Sequence, residues 1–497
     1  MIRSALLSVL LLIPTLTRSQ TPPGHGKPPG ALLVIQGATM VDGVGTPAEG
    51  PVDILIRGNR IERIARTRDD ASWMAEAAAV IDGTGKYVLP GFINMHAHLI
   101  DGRAGIAMPF QYQYNLWLAA GITTIRDVGS NIEKAREQRR LSAVNAIPAP
   151  RMLLNMWFPG GADEPAIRAG IRRLKAEGAD GVKFHQLDRA TFRIAADEAN
   201  RQKLPIAHHV GVEDANARDD AEMGTATIEH WYGIPDAALR GVQSFPADFN
   251  HADELHRFRW AGRLWREADP ERLTAVLETL VAAGVAWDPT LCIYEACRDL
   301  QRAITQPWFA DYLHPALEAF FTPNPDYHGS FFFGWTHTDE VYWRENYRIW
   351  MAAVREFADL GGVVTTGEDA GFIYQMFGFG YLRELQLHEE AGFHPLEVIR
   401  HATHNGARVL GRDGDLGRVR AGFLADLVVV DGNPLANLAI LLPQGINPVL
   451  DEQRGGHGGV EWTIKDGVPY HVPTLLAEVR AMVASARAAH PGSDGRP

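Results

Sequence analysis

Hydrophobic and polar positions along the chain fall into two textures. In Ala31–Gly43, Val52–Ala65 and Ala78–Gly91, short β-branched runs alternate with Gly-Asn and Asp-Gly turns, the punctuation of antiparallel strands. The same texture returns in Leu424–Pro434 and Val460–Val472. Two strand-rich pieces flanking a long middle predict one small β-sandwich domain built from both chain ends, over 31–88 and 408–473.

The middle, 89–407, reads differently. Short apolar runs alternate with helical stretches such as Ala166–Asp180 and Ala190–Gln202, which is the signature of a parallel α/β sheet. The runs are Phe92–His98, Ile122–Val128, Met152–Phe158, Gly181–His185, Pro205–Val210, Ala226–Trp231, Val285–Leu291 and Val363–Glu368. Repeated units of this kind predict a (β/α)8 TIM-type barrel with its chemistry at the C-terminal strand ends. An open doubly wound sheet is the alternative, and no GxGxxG or P-loop run supports it. The connection between the seventh and eighth runs carries a long insertion, 292–347, rich in aromatics such as Phe331, Phe332, Phe333, Trp335 and Tyr342. It leaves the catalytic face, so it is either a lid or a helical excursion packed on the barrel wall. Residues 474–497 read as a C-terminal helix and tail.

Composition changes this picture at few points. A chain of 497 residues has room for a barrel and a smaller domain. A formal charge of −12 argues against nucleic acid as a partner. Arg3 followed by the apolar run Ala5–Ile13 reads as a secretory signal over residues 1–19, with an uncleaved anchor as the alternative. A flexible leader, 20–30, follows, and no membrane partner is expected once the signal is removed. Export permits disulfides, but Cys292 and Cys297 are the only cysteines, and they read as buried thiols.

The candidate chemistry sits at the strand ends. His96 and His98 leave the first run two residues apart, so on a strand both imidazoles face one spot. Lys183 lies in the fourth run, His209 in the fifth, His230 ends the sixth and Asp369 follows the eighth. Neutral imidazole and carboxylate suit zinc and similar divalent ions. A lysine among them invites two readings: an ion pair with Asp180 or Asp188, or a neutral amine, its pKa lowered by desolvation, that reacts with carbon dioxide to give a bridging carbamate. Arg126, His185, His208 and Tyr232 stand nearby by strand logic as substrate-side candidates, with a pairing of Arg126 to Asp127 the competing reading. His208 and His209 cannot both line one pocket, because successive strand residues face opposite ways. Glu368, next to Asp369, is expected to point away from it. His401 and His404 read as packing residues.

The runs Pro90–His98, Gly121–Gly129, Gly178–Phe184, Pro205–Ala215, Ala226–His230, Thr365–Gly371 and Leu424–Leu435 together resemble the metal-dependent amidohydrolase superfamily. Within it the chain is similar to the imidazolonepropionase-related group that includes binuclear dipeptidases of the Xaa-Pro type. The resemblance covers about Leu32 to Val479. It implies two divalent ions, zinc first among the candidates, with His96 and His98 on one, His209 and His230 on the second, and carboxylated Lys183 as the bridge. It implies Asp369 as ligand and proton carrier, and hydrolysis of an amide or peptide C–N bond by a metal-bridging hydroxide. The substrate would be a dipeptide, an N-acyl amino acid or a cyclic amide. A homo-oligomer is left open. Competing readings are a lactonase or organophosphate-type hydrolase on the same site, a deaminase, and a non-catalytic barrel scaffold. Val212, third after His209, stands where deaminases of this type carry glutamate.

Overall fold

The computed structural model describes residues 23–490 apart from 29, 31, 68–71, 212–214, 242–246, 248, 251–253, 326–327, 331, 333 and 447–457. The expected signal, Val212, Phe331, Phe333 and the extreme tail therefore lie outside the described residues.

The first strands are β1 (Leu33–Met40), β2 (Glu49–Arg57), β3 (Arg60–Arg66), β4 (Ala79–Asp82) and β5 (Tyr87–Pro90). The barrel strands are β6 (Phe92–Ala97), then, after a small hairpin β7 (Gly102–Arg103) and β8 (Ile106–Ala107), β9 (Ile122–Asp127), β10 (Arg151–Trp157), β11 (Gly181–His185), β12 (Ile206–His209), β13 (Thr227–Glu229) and β14 (Ala286–Asp288). The chain closes with β15 (Leu427–Asp431), β16 (Gly459–Lys465) and β17 (Val468–His471).

Strands β6 and β9–β14 form one parallel seven-stranded sheet in the order β14-β13-β12-β11-β10-β9-β6. Residues 363–366 fill the gap as the eighth stave. Val364 bridges Trp287, and the Met95 N–H donates to the Thr366 carbonyl at 2.9 Å. The barrel expected from the alternating texture is thus present, with a short eighth strand.

The terminal strands form a single eight-stranded mixed sheet, ordered β17-β16-β15-β5-β1-β2-β3 with β4 also on β1. Strand β5, from the N-terminal half, pairs antiparallel with β15 from the C-terminal half, so both chain ends do build one domain. Leu33, Ile35, Ile54, Val88, Leu427, Val429 and Ile464 make its own core. The alternate residues Val428 and Val430 join the barrel's core, as period-2 alternation requires, and Val460 joins it past a register shift in the β15–β16 pairing. Within the leader, Gly26 N–H donates to the Pro469 carbonyl at 2.8 Å and His25 accepts from the His471 N–H at 3.0 Å. This part of the leader is therefore docked on β17.

Gly91 joins sheet to barrel. A Cβ there would lie 2.2 Å from Thr123 Oγ1, so only glycine lets β5 run straight into β6. Its N–H donates to the Asp426 carbonyl at 2.7 Å. Arg151, at the start of β10, pairs with both Asp426 and Asp466 across the same junction.

The insertion is largely helical. It starts with a 3-10 turn at Leu291–Cys297 and ends in the long helix His337–Asp359. Trp343 and Trp350 of that helix pack around Trp231, with centroids 5.9 and 6.1 Å away. Cys292 and Cys297 are free, buried thiols.

Candidate metal centre

Each strand end delivers its side chain by a local backbone device. His96 on β6 and His98 just past its end lie together, with ring centroids 5.4 Å apart. On β12, His209 turns inward while His208 turns out. There His208 packs at 4.3 Å on Phe192, and its Nδ1 lies 2.7 Å from Asp220 Oδ1. His230 and Asp369 have φ of 62° and 48°, and Thr290 has 48°. Left-handed non-glycine residues cost roughly 1–3 kcal/mol each. Here they are held by His230 N–H on the Asp288 carbonyl and Asp369 N–H on the His96 carbonyl, both at 2.9 Å.

These devices bring the histidines, Lys183 and Asp369 to one cavity of about 340 Å³ at the C-terminal mouth of the barrel. Asp369 Oδ1 lies 3.1 Å from His98 Nε2 and 3.7 Å from His96 Nε2, and its Oδ2 lies 3.7 Å from His230 Nε2. His230 sits 4.7 Å from His96 and 4.6 Å from His209, centroid to centroid. Ligand atoms of His96, His230 and Asp369 all lie within 4.8 Å of one another.

The electrostatics fit cation binding. Burial pushes the His96 imidazole down to about 4, with the Lys183 charge adding to the effect. Burial likewise holds His209 and His230 well below their ordinary range. Neutral imidazoles are the ligand form. Burial alone would raise Asp369, but His96, His98 and His230 outweigh it and hold the carboxyl below its usual range. Burial brings Lys183 down to about 8, and its Nζ has no hydrogen-bond partner. Its expected ion-pair partners are engaged elsewhere. Asp180 pairs with Arg139 at 2.8 Å, and Asp188 caps the helix Arg189–Arg201 through Thr191. An unpartnered buried amine beside imidazoles and a carboxylate fits a lysine that becomes an anionic ligand, so the donor set suits divalent ions.

A second layer, which strand logic missed, fixes the first. Glu229 Oε2 lies 2.7 Å from His96 Nδ1, while its Oε1 accepts from Arg126 Nη2 at 2.7 Å and Thr227 Oγ1 at 2.5 Å. Burial raises the Glu229 carboxyl, but Arg126, Lys183 and His96 together bring it well below its usual range. An ionised Glu229 makes Nδ1 the protonated nitrogen of His96 and leaves Nε2 free for a ligand. Asp288 Oδ2 lies 3.7 Å from Arg126, and burial pushes that carboxyl well up. A Cβ on Gly367 would meet both Asp288 Oδ2 and His96 Cβ at 2.5 Å. Thr290 Oγ1 lies 2.5 Å from His230 Nδ1 and does for His230 what Glu229 does for His96.

The substrate-side candidates divide. His185 lines the cavity, and burial lowers it to about 3. Arg126 does not line it: its guanidinium is spent on Glu229, Thr227 and the Met95 carbonyl beneath the site. Nor is Asp127 its partner, since that carboxylate accepts from Ser130. His208 is excluded by its outward turn. Tyr232 stacks on His209 at 5.1 Å and 8° and supports that ring from outside the cavity lining. Glu368 points away, as expected, accepting from Trp117 Nε1, Asn94 Nδ2 and the N–H groups of Gly378 and Tyr381. His401 packs against His388 at 3.1 Å, outside the site. Trp157, Phe258, Ile293, Tyr294, His328, Phe372 and Ile373 complete the wall.

Residues 349–450 match the amidohydrolase family. An imidazolonepropionase of Porphyromonas gingivalis is 26% identical over 162 residues, 32% of this chain and 34% of that protein. The chain thus matches about a third of that relative's length. Among solved structures, an Xaa-Pro dipeptidase superposes with a TM-score of 0.61 at 18% identity, over 89% of this chain and 100% of the other. A bottromycin amidohydrolase gives 0.65 at 18%, over 93% and 91%. At such identity the structural likeness carries the fold. The matched segment, the barrel and its added sheet make the chain similar to amidohydrolases.

Proposed function

We propose that the protein is an exported, metal-dependent amidohydrolase that cleaves an amide or peptide C–N bond of a small molecule. The observation that carries this is the unpartnered, buried Lys183 amine in the same cavity as His96, His98, His209, His230 and Asp369. A relative named imidazolonepropionase and fold neighbours named Xaa-Pro dipeptidase and bottromycin amidohydrolase support the bond type. His96, His98 and Asp369 would hold one divalent ion and His209 and His230 a second, with Lys183, as a carbamate, a further anionic ligand. Such ions supply Lewis acidity and lower the pKa of water. The chain's own part is to keep the imidazoles neutral and to orient His96 and His230 through Glu229 and Thr290. Asp369 takes the proton of the attacking water and passes it to the leaving nitrogen. Dipeptides, N-acyl amino acids and cyclic amides are the substrate classes proposed.

The test is a screen of those classes with zinc-loaded protein, with metal content measured on the same preparation. Turnover of at least one class with about two ions per chain is expected; a metal-free, inactive protein would end this reading. For export, the mature chain should begin near Gln20 or Thr21, and a secreted protein starting at Met1 would refute it.

A further inference from the structure

We infer that the wall above the metal-competent floor is a subsite for an uncharged, flat aromatic group of the substrate, with Trp157 as its platform; only the word substrate rests on the hydrolase reading. Trp157 is the last residue of β10 and stands in register with Lys183 on β11. Neighbours in register on parallel strands face the same side, so the indole stands over the floor that Lys183 helps to build. Its side chain is 52% exposed. Trp231, Trp265, Trp287, Trp343 and Trp350 are fully buried. Gly129 beside it adds no side chain, its virtual Cβ being 3.5 Å from Trp157 Cβ. A large ring left bare on a cavity wall offers a flat face on which a ligand ring can stack.

The facing wall is made of rings held in place from behind. Phe372 is stacked by His328 at 5.0 Å and 20°, and the Arg103 guanidinium lies 4.7 Å from its ring centre. Tyr294 and Phe258 pack at 5.7 Å. The cavity of about 340 Å³ is at the small end of ligand sites, enough for one fused ring system and an amide.

Charge decides the class. Among the described lining residues, Lys183 and Asp369 belong to the floor, and the wall adds no arginine, lysine or carboxylate. Arg103 packs outside the lining, and so does Arg257, a buried residue whose charge acts on His185. A carboxylate, sulfonate or ammonium on this part of the substrate would be desolvated against rings without a counter-charge. A neutral ring gains stacking instead.

The test uses full-length, metal-free protein and two ligands, N-(2-naphthyl)acetamide and its 6-sulfonate, with binding read by equilibrium dialysis. The neutral amide should bind about tenfold more tightly than the sulfonate. Trp157→Ala should weaken it about tenfold, while Trp157→Phe keeps most of the affinity. Equal binding of the two ligands, or of wild type and Trp157→Ala, overturns the subsite. Hydrolysis of the same amide by zinc-loaded protein is scored separately. A bound but uncleaved amide sustains the subsite and counts against the hydrolase reading. Cleavage of small amides without dependence on Trp157 does the reverse.

Discussion

Changing Glu229 to glutamine probes how the barrel prepares a ligand. The carboxylate accepts from His96 Nδ1 and from Arg126 Nη2, each at 2.7 Å. Glutamine keeps the volume and one oxygen for Arg126 and Thr227, but it presents an NH2 to His96. Nδ1 must then accept, the proton moves to Nε2, and the nitrogen facing the cavity can no longer bind a cation. Loss of such an orienting partner typically lowers metal affinity 10–100-fold, about 1.4–2.7 kcal/mol. Folding should suffer as well, because Arg126 loses its buried counter-charge. Breaking a buried pair costs about 3–5 kcal/mol. The low end, ~3 kcal/mol, is expected, because Asp288, whose Oδ2 lies 3.7 Å from Arg126 and whose carboxyl is pushed up by burial and by Glu229, can take over as its counter-charge. Chelator competition measures metal affinity, and urea unfolding of the metal-free protein measures stability. A variant that loses stability but binds metal as before would refute the tautomer argument. One that loses neither would refute the whole network.

Three further outcomes follow from the same geometry. Lys183→Ala should cost at least ~10³-fold in turnover, ~4 kcal/mol, and acetate should partly restore it; Lys183→Arg should stay inactive, since guanidinium cannot be carboxylated. Full activity in Lys183→Arg would end the proposed role of Lys183 as an anionic ligand. Arg151→Ala should lower stability by about 3 kcal/mol, because it strands Asp426 at the junction of barrel and sheet, while Asp466 keeps Lys465 at 2.9 Å; an unchanged urea midpoint would show that the pairs contribute nothing. His314 is pushed down to about 4 by burial, with His490 and Arg487 adding repulsion, from an ordinary 6.5. The folded state favours its neutral form, so stability is full above about 6.5 and falls as pH drops toward 4. His314→Gln should flatten that fall by up to one proton, checked by urea midpoints at about pH 7 and about pH 5.

The barrel was legible because short apolar runs alternate with helical stretches, and its strand-borne histidines because strand side chains follow period 2. His96 and His98 share a side, whereas His208 and His209 oppose. That rule fails at Glu229 and His230, which are adjacent yet both serve the site. Strand β13 ends at Glu229, and the left-handed His230 swings its ring back toward the cavity. No local pattern announces a φ of 62° on a histidine. Arg126 looked like a partner for adjacent Asp127, but its true partner is 103 positions away, across the barrel, where only closure brings it. Trp157 gave no signal either: an aromatic at a strand end reads as core until the cavity beside it is seen.

The strand that carries His96 is the direct continuation, through Gly91, of a strand whose partner β15 begins at Leu427. This gives the site a place in time. During synthesis the imidazoles of β6 emerge first, but the sheet that anchors them lacks a central strand until Leu427–Asp431, about 330 residues later, has been made. Pairings of such sequence separation form slowly. The nascent chain therefore carries its histidines on a strand paired with β9, and through β5 with β1, but without β15 through most of translation, and the proposed cation site gains its full frame only when that segment docks. A ribosome stalled before residue 427 would hold a chain with the His96 and His98 ligands but without the frame that aligns them.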